Sequence, residues 1–243
     1  TEGLIPYNPV SEAVINKKLM QEYSKDDDLD DDFLTYEEVR IFLGIVEEHP
    51  LYEVFYTTLF FGLRREEMLG LKWSAIDFKN KTIKINHTVT KGTTVNRLNS
   101  TKTEASKRDY PLTDEQINMF RHIKKQESDN RKLFGNCYIE NNYIFKHEDG
   151  TPYYPDYPSK ELHKIIVNNP NLPQNTNFRS LRRSCVSILV HEGMDIKSIQ
   201  KWVGHKDLDT TLRIYAKVKD KEAKMVISTG LNDVIKLKQY DDD

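Results

Sequence analysis

Near its C-terminal end the chain reads Arg179-Ser180-Leu181-Arg182-Arg183-Ser184, then Val203-Gly204-His205, then Thr210-Thr211-Leu212-Arg213-Ile214-Tyr215. Gly193 and Gly204 act as stops, so the apolar periodicity predicts helices over about 178–192, 195–203 and 209–218. These helices carry guanidinium groups, an imidazole and a phenol that could gather in one pocket. With Arg64 and Lys102 from upstream they would form a cationic cradle for a phosphate, with a hydroxyl aimed at it. Covalent phosphoryl transfer needs both parts.

Working outward, Gly62-Leu63-Arg64-Arg65-Glu66-Glu67-Met68-Leu69-Gly70-Leu71 sets Arg64 at a helix junction. The glycine lets the backbone turn, and Glu67, one helical turn on, is placed to orient the Arg64 guanidinium. Read alone, that pair is an ordinary surface salt bridge. Before it, Thr35 and Glu38 form a capping box that opens a helix with Val39, Phe42, Leu43 and Val46 on one face. His49-Pro50 ends that helix; a second, apolar one runs from Leu51 to about Gly62, and a third from about Arg65 to Lys72.

The period then changes. Thr82 to His87 alternates as a half-buried strand, Lys91-Gly92 marks a turn, Thr94 to Thr103 makes a second strand, and Arg108 to Leu112 a third. Thr113-Asp114-Glu115 caps a helix with Ile117, Phe120 and Ile123 on its apolar side. Asn142 to Phe145 reads as a short strand, Lys160 to Val167 as a helix, and Met225 to Leu237 as an amphipathic segment. The sum is an α+β, mainly helical domain with a small antiparallel three-stranded sheet.

Length and charge bound the function. The 243 residues, 37% of them hydrophobic, hold one large domain, or one domain with a remnant of another. No run approaches the roughly 18 apolar residues of a membrane span, and no signal-peptide pattern opens the chain. Cys137 and Cys185 fit no metal-ligand spacing and point to a reducing compartment, so a cytoplasmic protein is expected. The formal net charge is −2, but Asp26 to Asp28, Asp30 to Asp32 and Asp241 to Asp243 form two acidic runs. Without those nine carboxylates the remainder stands at +7, which permits a basic nucleic-acid face without requiring one.

These motifs together resemble the tyrosine recombinases of the phage integrase family. That family carries Gly-Leu-Arg-x-x-Glu followed by Leu-x-Leu-x-Trp, matched here through Leu69-Gly70-Leu71-Lys72-Trp73. Its later boxes are His-x-Leu-Arg-His-Thr/Ser, Leu-Gly-His and Thr-Thr-x-x-Tyr, and order, spacing and helical context agree from about Phe33 to Val218. The resemblance implies a catalytic domain spanning 33–243, with a tail from about 219. The chain opens at Thr1 in mid-pattern, so residues 1–32 are expected to be the linker remnant of an absent core-binding domain.

The resemblance also implies roles. Tyr215 would attack the scissile phosphate of duplex DNA, leaving a 3′-phosphotyrosyl link and a free 5′-hydroxyl, with no metal and no cofactor. Arg64 and Arg182 would clamp the non-bridging oxygens, with Glu67 in support. His205 would donate to the same phosphate or help position Tyr215. Lys102 is the candidate general acid by its place on the hairpin; composition alone leaves Lys91 and Lys107 as comparable phosphate contacts. Arg179 stands where the family usually has a histidine, and Arg183 where it has the next one, to bind the DNA backbone or cap a carboxylate. An arginine donates to a phosphate but does not exchange protons near neutrality.

The implied assembly is a homotetramer on DNA and a monomer without it, with accessory DNA-bending or excision factors as possible partners and no membrane. The tail would dock on a neighbouring protomer, or else on its own domain. Two other readings stay open at this level: a DNA-binding protein of the same fold that no longer cuts, and a type IB topoisomerase-like enzyme.

Overall fold

The computed structural model describes residues 33–91, 95–98 and 108–234, and of 95–98 and 225–234 the backbone alone. Helix α1 (Tyr36–Ile45) opens at the expected capping box: the Glu38 carboxylate accepts the Thr35 N–H at 2.7 Å, and the Thr35 hydroxyl accepts the Glu38 N–H at 3.4 Å. Such a cap contributes about 1 kcal/mol. Helix α2 (Tyr52–Phe61) is buried on nearly all sides through Val54, Phe55, Leu59 and Phe61, so it is the central helix of the domain.

Gly62 ends α2 in the left-handed region, at φ 57°. A Cβ there would lie 2.7 Å from Val203 Cγ1 and 3.2 Å from Cys185 Sγ, so this corner is also where three helices meet. The exposed carbonyls at the end of α2 are taken by side chains from elsewhere. Trp202 Nε1 donates to Phe60 O at 3.1 Å, the Tyr110 hydroxyl to Phe61 O at 3.2 Å, and Arg182 Nη1 to Gly62 O at 2.6 Å. Helix α3 (Arg65–Leu69) follows at once and stops at Gly70, short of the expected Lys72.

The sheet has three antiparallel strands, but its membership differs from the expected one. Its order is β1 (Ile76–Asp77), β2 (Thr82–Ile85), β5 (Arg108–Pro111). The expected middle strand instead supplies β4 (Val95–Leu98), which pairs with β3 (Thr88–Lys91) in a separate ladder from Thr88↔Leu98 to Lys91↔Val95. The chain leaves the first ladder at His87. That side chain is buried with Nε2 3.1 Å from the Tyr143 hydroxyl, and its carbonyl presses so close to Gly70 that a Cβ there would sit 2.3 Å from it.

Helix α4 (Asp114–Phe134) begins at the Thr113–Gln116 capping box and buries Ile117 and Phe120. The following segment makes isolated bridges, Lys72↔Tyr143 and Lys146↔Pro152, rather than the expected strand at 142–145. Helices α5 (Tyr157–Val167), α6 (Phe178–His191) and α7 (Ile196–Val203) agree with the sequence pattern apart from an earlier start of α5. The helix expected at 209–218 and the segment from Met225 are one element, α8 (Leu208–Val234). Nothing between them breaks a helix: Lys219 to Lys224 holds no Gly or Pro, all but Asp220 are good helix formers, and ion pairs join Lys219–Glu222 at 2.8 Å and Lys224–Asp220 at 2.7 Å.

Two apolar clusters organise these parts. The larger joins α1 to α5 with the sheet, around Phe42, Phe55, Phe61, Ile83 and Phe120. The smaller gathers Phe33, which precedes α1, with Cys185, Val186, Val190, Ile199, Val203, Ile214 and Val218 from α6, α7 and α8. Trp202 packs against both, as core rather than as a base-stacking surface. Among the described residues no helix is long and apolar enough to cross a membrane.

Candidate active site

The site is built around one buried carboxylate. Glu67, 2% exposed, takes the Arg64 backbone N–H at 2.9 Å, Arg64 Nη1 at 2.8 Å and Arg108 Nη2 at 2.7 Å, while Arg182 Nη1 stands 3.6 Å away. Burial works to raise the Glu67 carboxyl, yet Arg108, Arg182 and Arg64 together outweigh it and hold it below the usual carboxylate range.

The same three guanidinium groups converge on the end of α7. Arg108 Nη1 donates to Val203 O, Arg182 Nη2 to Gly204 O at 3.4 Å, and Arg64 Nη2 reaches Gly204 O at 3.5 Å. A helix C-terminus carries partial negative charge on its unpaired carbonyls, so it is a natural second anchor for cations. One carboxylate and a helix end thus hold three guanidinium groups, an excess of positive charge. Burial, with repulsion from Arg64 and Arg108, pulls Arg182 down to about 9, and the group remains a cation at neutral pH.

Beside this network lies an open cleft of about 700 Å³, lined by Arg64, Arg179, Arg182, Arg183, His205 and Arg213 among others. Arg179 is exposed at the start of α6, where Asn177 Oδ1 caps the helix by accepting the Arg179 and Ser180 N–H groups at 2.8 and 3.2 Å. His205 follows the left-handed Gly204 (φ 66°) that ends α7. Burial first, then Arg182, Arg64, Arg108 and Arg183, push its imidazole down to about 3, so it is neutral at pH 7. Its Nδ1 lies 2.9 Å from the Thr211 hydroxyl.

Helix α8 divides its residues between two faces. Thr210 and Arg213 line the cleft. Thr211, Ile214 and Val218 are buried on the other stripe, and half-buried Tyr215 packs with them against the smaller cluster. Tyr215 therefore stands one turn beyond Thr211, the residue that touches His205.

The structure brings Arg64, Arg179, Arg182, Arg183, His205 and Glu67 together. Lys91 lies apart: its ammonium pairs with Asp156 and sits 5.4 Å over the Tyr154 ring, and Asp156 holds it above the usual lysine range. Lys102 and Lys107 lie outside the described residues. Two residues of the network were not singled out from the sequence. Thr211 enters the sequence reading only as part of its box. Arg108 shares a strand face with buried Tyr110, and a charged residue on the buried stripe of a strand was the signal available.

A model of the phage integrase family matches residues 32–222. The chain is 26% identical over 247 residues to a tyrosine recombinase XerC-like protein of Caldanaerobacter subterraneus subsp. tengcongensis, covering 96% of this chain and 61% of that protein. It is 30% identical over 165 residues to the integrase of a Staphylococcus phage, covering 66% of this chain and 46% of the integrase. Among solved structures, the Tn1549 transposon integrase in complex with transposon right end DNA gives a TM-score of 0.63 at 20% identity, over 80% of this chain and 66% of that one. XerA recombinase gives 0.60 at 15% identity, over 86% and 66%. These structural likenesses carry the fold, and the chain spans between about half and three fifths of the two curated relatives. With the family model covering most of its length and the boxes converging on one cleft, the chain belongs to the phage integrase family.

Proposed function

We propose that this chain is the catalytic part of a site-specific DNA recombinase that cuts and rejoins duplex DNA through a 3′-phosphotyrosyl intermediate on Tyr215. The observation that carries this reading is the charge imbalance at the cleft: three guanidinium groups share one buried carboxylate. A phosphodiester supplies the missing anion, and planar guanidinium forks match its non-bridging oxygens. Relatives and solved neighbours named as recombinases, integrases and transposon integrases bound to DNA support the same reading.

In this reading the Tyr215 oxygen forms a bond to phosphorus while the bond to the 5′-oxygen breaks. The phenolic proton passes to solvent water, and the leaving oxygen takes a proton from the Lys102 ammonium. Arg64 and Arg182 hold the equatorial oxygens as charge builds on them. Neutral His205 donates one N–H to the same phosphate, and Arg179 adds a fixed positive charge in place of a titrating group. The bond energy stays in the phosphotyrosyl link, so a 5′-hydroxyl reverses the step and seals the strand. Arg183 and Lys107 are then backbone contacts, and the working assembly is a tetramer on two duplexes.

The test is incubation of the full chain with a nicked suicide half-site, followed by denaturing gels. A covalent adduct that is lost in Tyr215→Phe supports the proposal; no adduct, or one that persists in that variant, overturns it. DNA retention without an adduct would favour a non-cutting protein of the same fold. Relaxation of a plasmid lacking any specific site would favour topoisomerase-like action.

A further inference from the structure

We infer that Arg108 is a positioning residue for strand cleavage: acting through Glu67, it keeps Arg182 available to the phosphate. The inference rests on the phosphotyrosyl reading above and deepens it.

The geometry assigns the Glu67 oxygens unequally. Oε1 takes Arg64 Nη1 at 2.8 Å, while Oε2 takes the Arg64 N–H at 2.9 Å and Arg108 Nη2 at 2.7 Å. Arg182 Nη1 is 3.6 Å from that same Oε2, beyond a good hydrogen bond, and donates instead to Gly62 O at 2.6 Å. Arg108 thus fills the place on Oε2 that Arg182 would otherwise take. Without it, an under-neutralised buried carboxylate would draw Arg182 inward, away from the cleft.

Arg108 itself does not serve as a phosphate clamp. Its side chain is 6% exposed and faces the neighbouring pocket lined by Tyr110, Trp202 and Gly204, whereas the clamp residues line the arginine cleft. Its second arm binds Val203 O, so one planar group ties β5 to α3 and to the end of α7. A lysine ammonium cannot bridge two acceptors in that fixed geometry.

The experiment measures single-turnover adduct formation by the full chain carrying Arg108→Met or Arg108→Lys, with DNA affinity and Tm measured alongside. Two half-sites are compared, one with the ordinary 5′-oxygen leaving group and one with a bridging 5′-sulfur. Sulfur departs as a thiolate and needs no general acid. For Arg108→Met the expected result is a loss of about 10²-fold in adduct rate, the scale of a small misplacement of catalytic groups, with DNA affinity within about threefold. Arg108→Lys, which keeps the charge and guards against a folding failure, should recover roughly a tenth of the wild-type rate. The sulfur substrate should leave the loss in place, because the loss passes through Arg182 and not through protonation of the leaving group; full restoration by sulfur would overturn the inference. Wild-type cleavage by both variants overturns the inference, as does a loss of cleavage matched by an equal loss of DNA affinity. An absence of adduct from the wild-type chain would instead overturn the phosphotyrosyl reading.

Discussion

The Thr211 hydroxyl lies 2.9 Å from His205 Nδ1, and Thr211 is fully buried. Because His205 is neutral near pH 7, one ring nitrogen carries the only proton. We assign the hydroxyl as donor to Nδ1, an assignment that puts that proton on Nε2, the nitrogen left to serve a ligand in the cleft. The spacing of the last box becomes intelligible in these terms: Thr210 lines the cleft, Thr211 holds the imidazole, and Tyr215 follows one turn later on the same stripe. Thr211→Val keeps the shape and removes the donor. Adduct formation should fall about tenfold, worth ~1.4 kcal/mol of barrier, while Thr211→Ser stays near wild type. A valine variant that cleaves at the wild-type rate would show that the contact is only packing.

The depressed imidazole also has a stability consequence. In the unfolded chain His205 titrates near ~6.5; in the folded protein it resists protonation down to about 3. Between those values the unfolded state binds the extra proton, so stability falls as pH drops through that window, by at most about 1.4 kcal/mol per unit from this group. Glu67, held low by its arginines, adds its own loss only below the usual carboxylate range. Urea melts from pH 6.5 to 4.5 should therefore show a slope that flattens in His205→Gln. Parallel slopes in the two proteins would contradict the burial of a neutral imidazole.

Glu67→Gln leaves three guanidinium groups around a neutral amide. Breaking a buried ionic network by removing one member costs about 3–5 kcal/mol, so Tm should drop by several degrees or more. Added sulfate or phosphate should recover part of that drop in the variant, because an anion in the cleft replaces the missing charge. A Tm unchanged from wild type would mean that Glu67 is not the anchor of the cluster.

Two glycines offer a matched pair. Gly62 has φ 57° and faces Val203 and Cys185, so Gly62→Ala incurs left-handed strain of about 1–2 kcal/mol plus a clash in a packed corner. Gly44 lies within α1 with nothing within 4 Å of an added Cβ, so Gly44→Ala should stabilise by about 0.5–1 kcal/mol. Denaturant midpoints moving in the same direction for both would refute this account of the corner.

What was legible in the sequence follows from how far each signal reaches. Capping boxes at Thr35 and Thr113 and stops at Gly62 and Gly204 are local, and the helices they bound agree with expectation. Strand membership is not local. Which segments pair depended on His87 being drawn against Gly70 and Tyr143, a contact between residues far apart in sequence. The convergence of Arg64, Arg182 and His205 was legible because each lies in a box. Arg108 was not, since its role depends on Glu67 and Val203, which the chain brings to it from two other elements.

Arg179 is one of two positions, with Arg183, at which an arginine stands in place of the family's usual histidine, and it can be tested directly. The residue is exposed on the cleft and carries a fixed charge. Arg179→His replaces that charge with an imidazole surrounded by Arg64, Arg182 and Arg183, neighbours that disfavour a second cation. At pH 7.5 the variant should therefore bind DNA as though one phosphate contact were lost. The slope of log affinity against log salt should become shallower by about 0.9. If the position serves only to hold charge, the cleavage rate at saturating DNA changes by less than about threefold, with little pH dependence between 6 and 8. A rise of tenfold or more, appearing with a titration in that range, would show that proton transfer there had limited the arginine-bearing enzyme. Measuring both the salt slope and the pH–rate profile separates the two contributions, because the first reports charge at the cleft and the second reports protons moved within it.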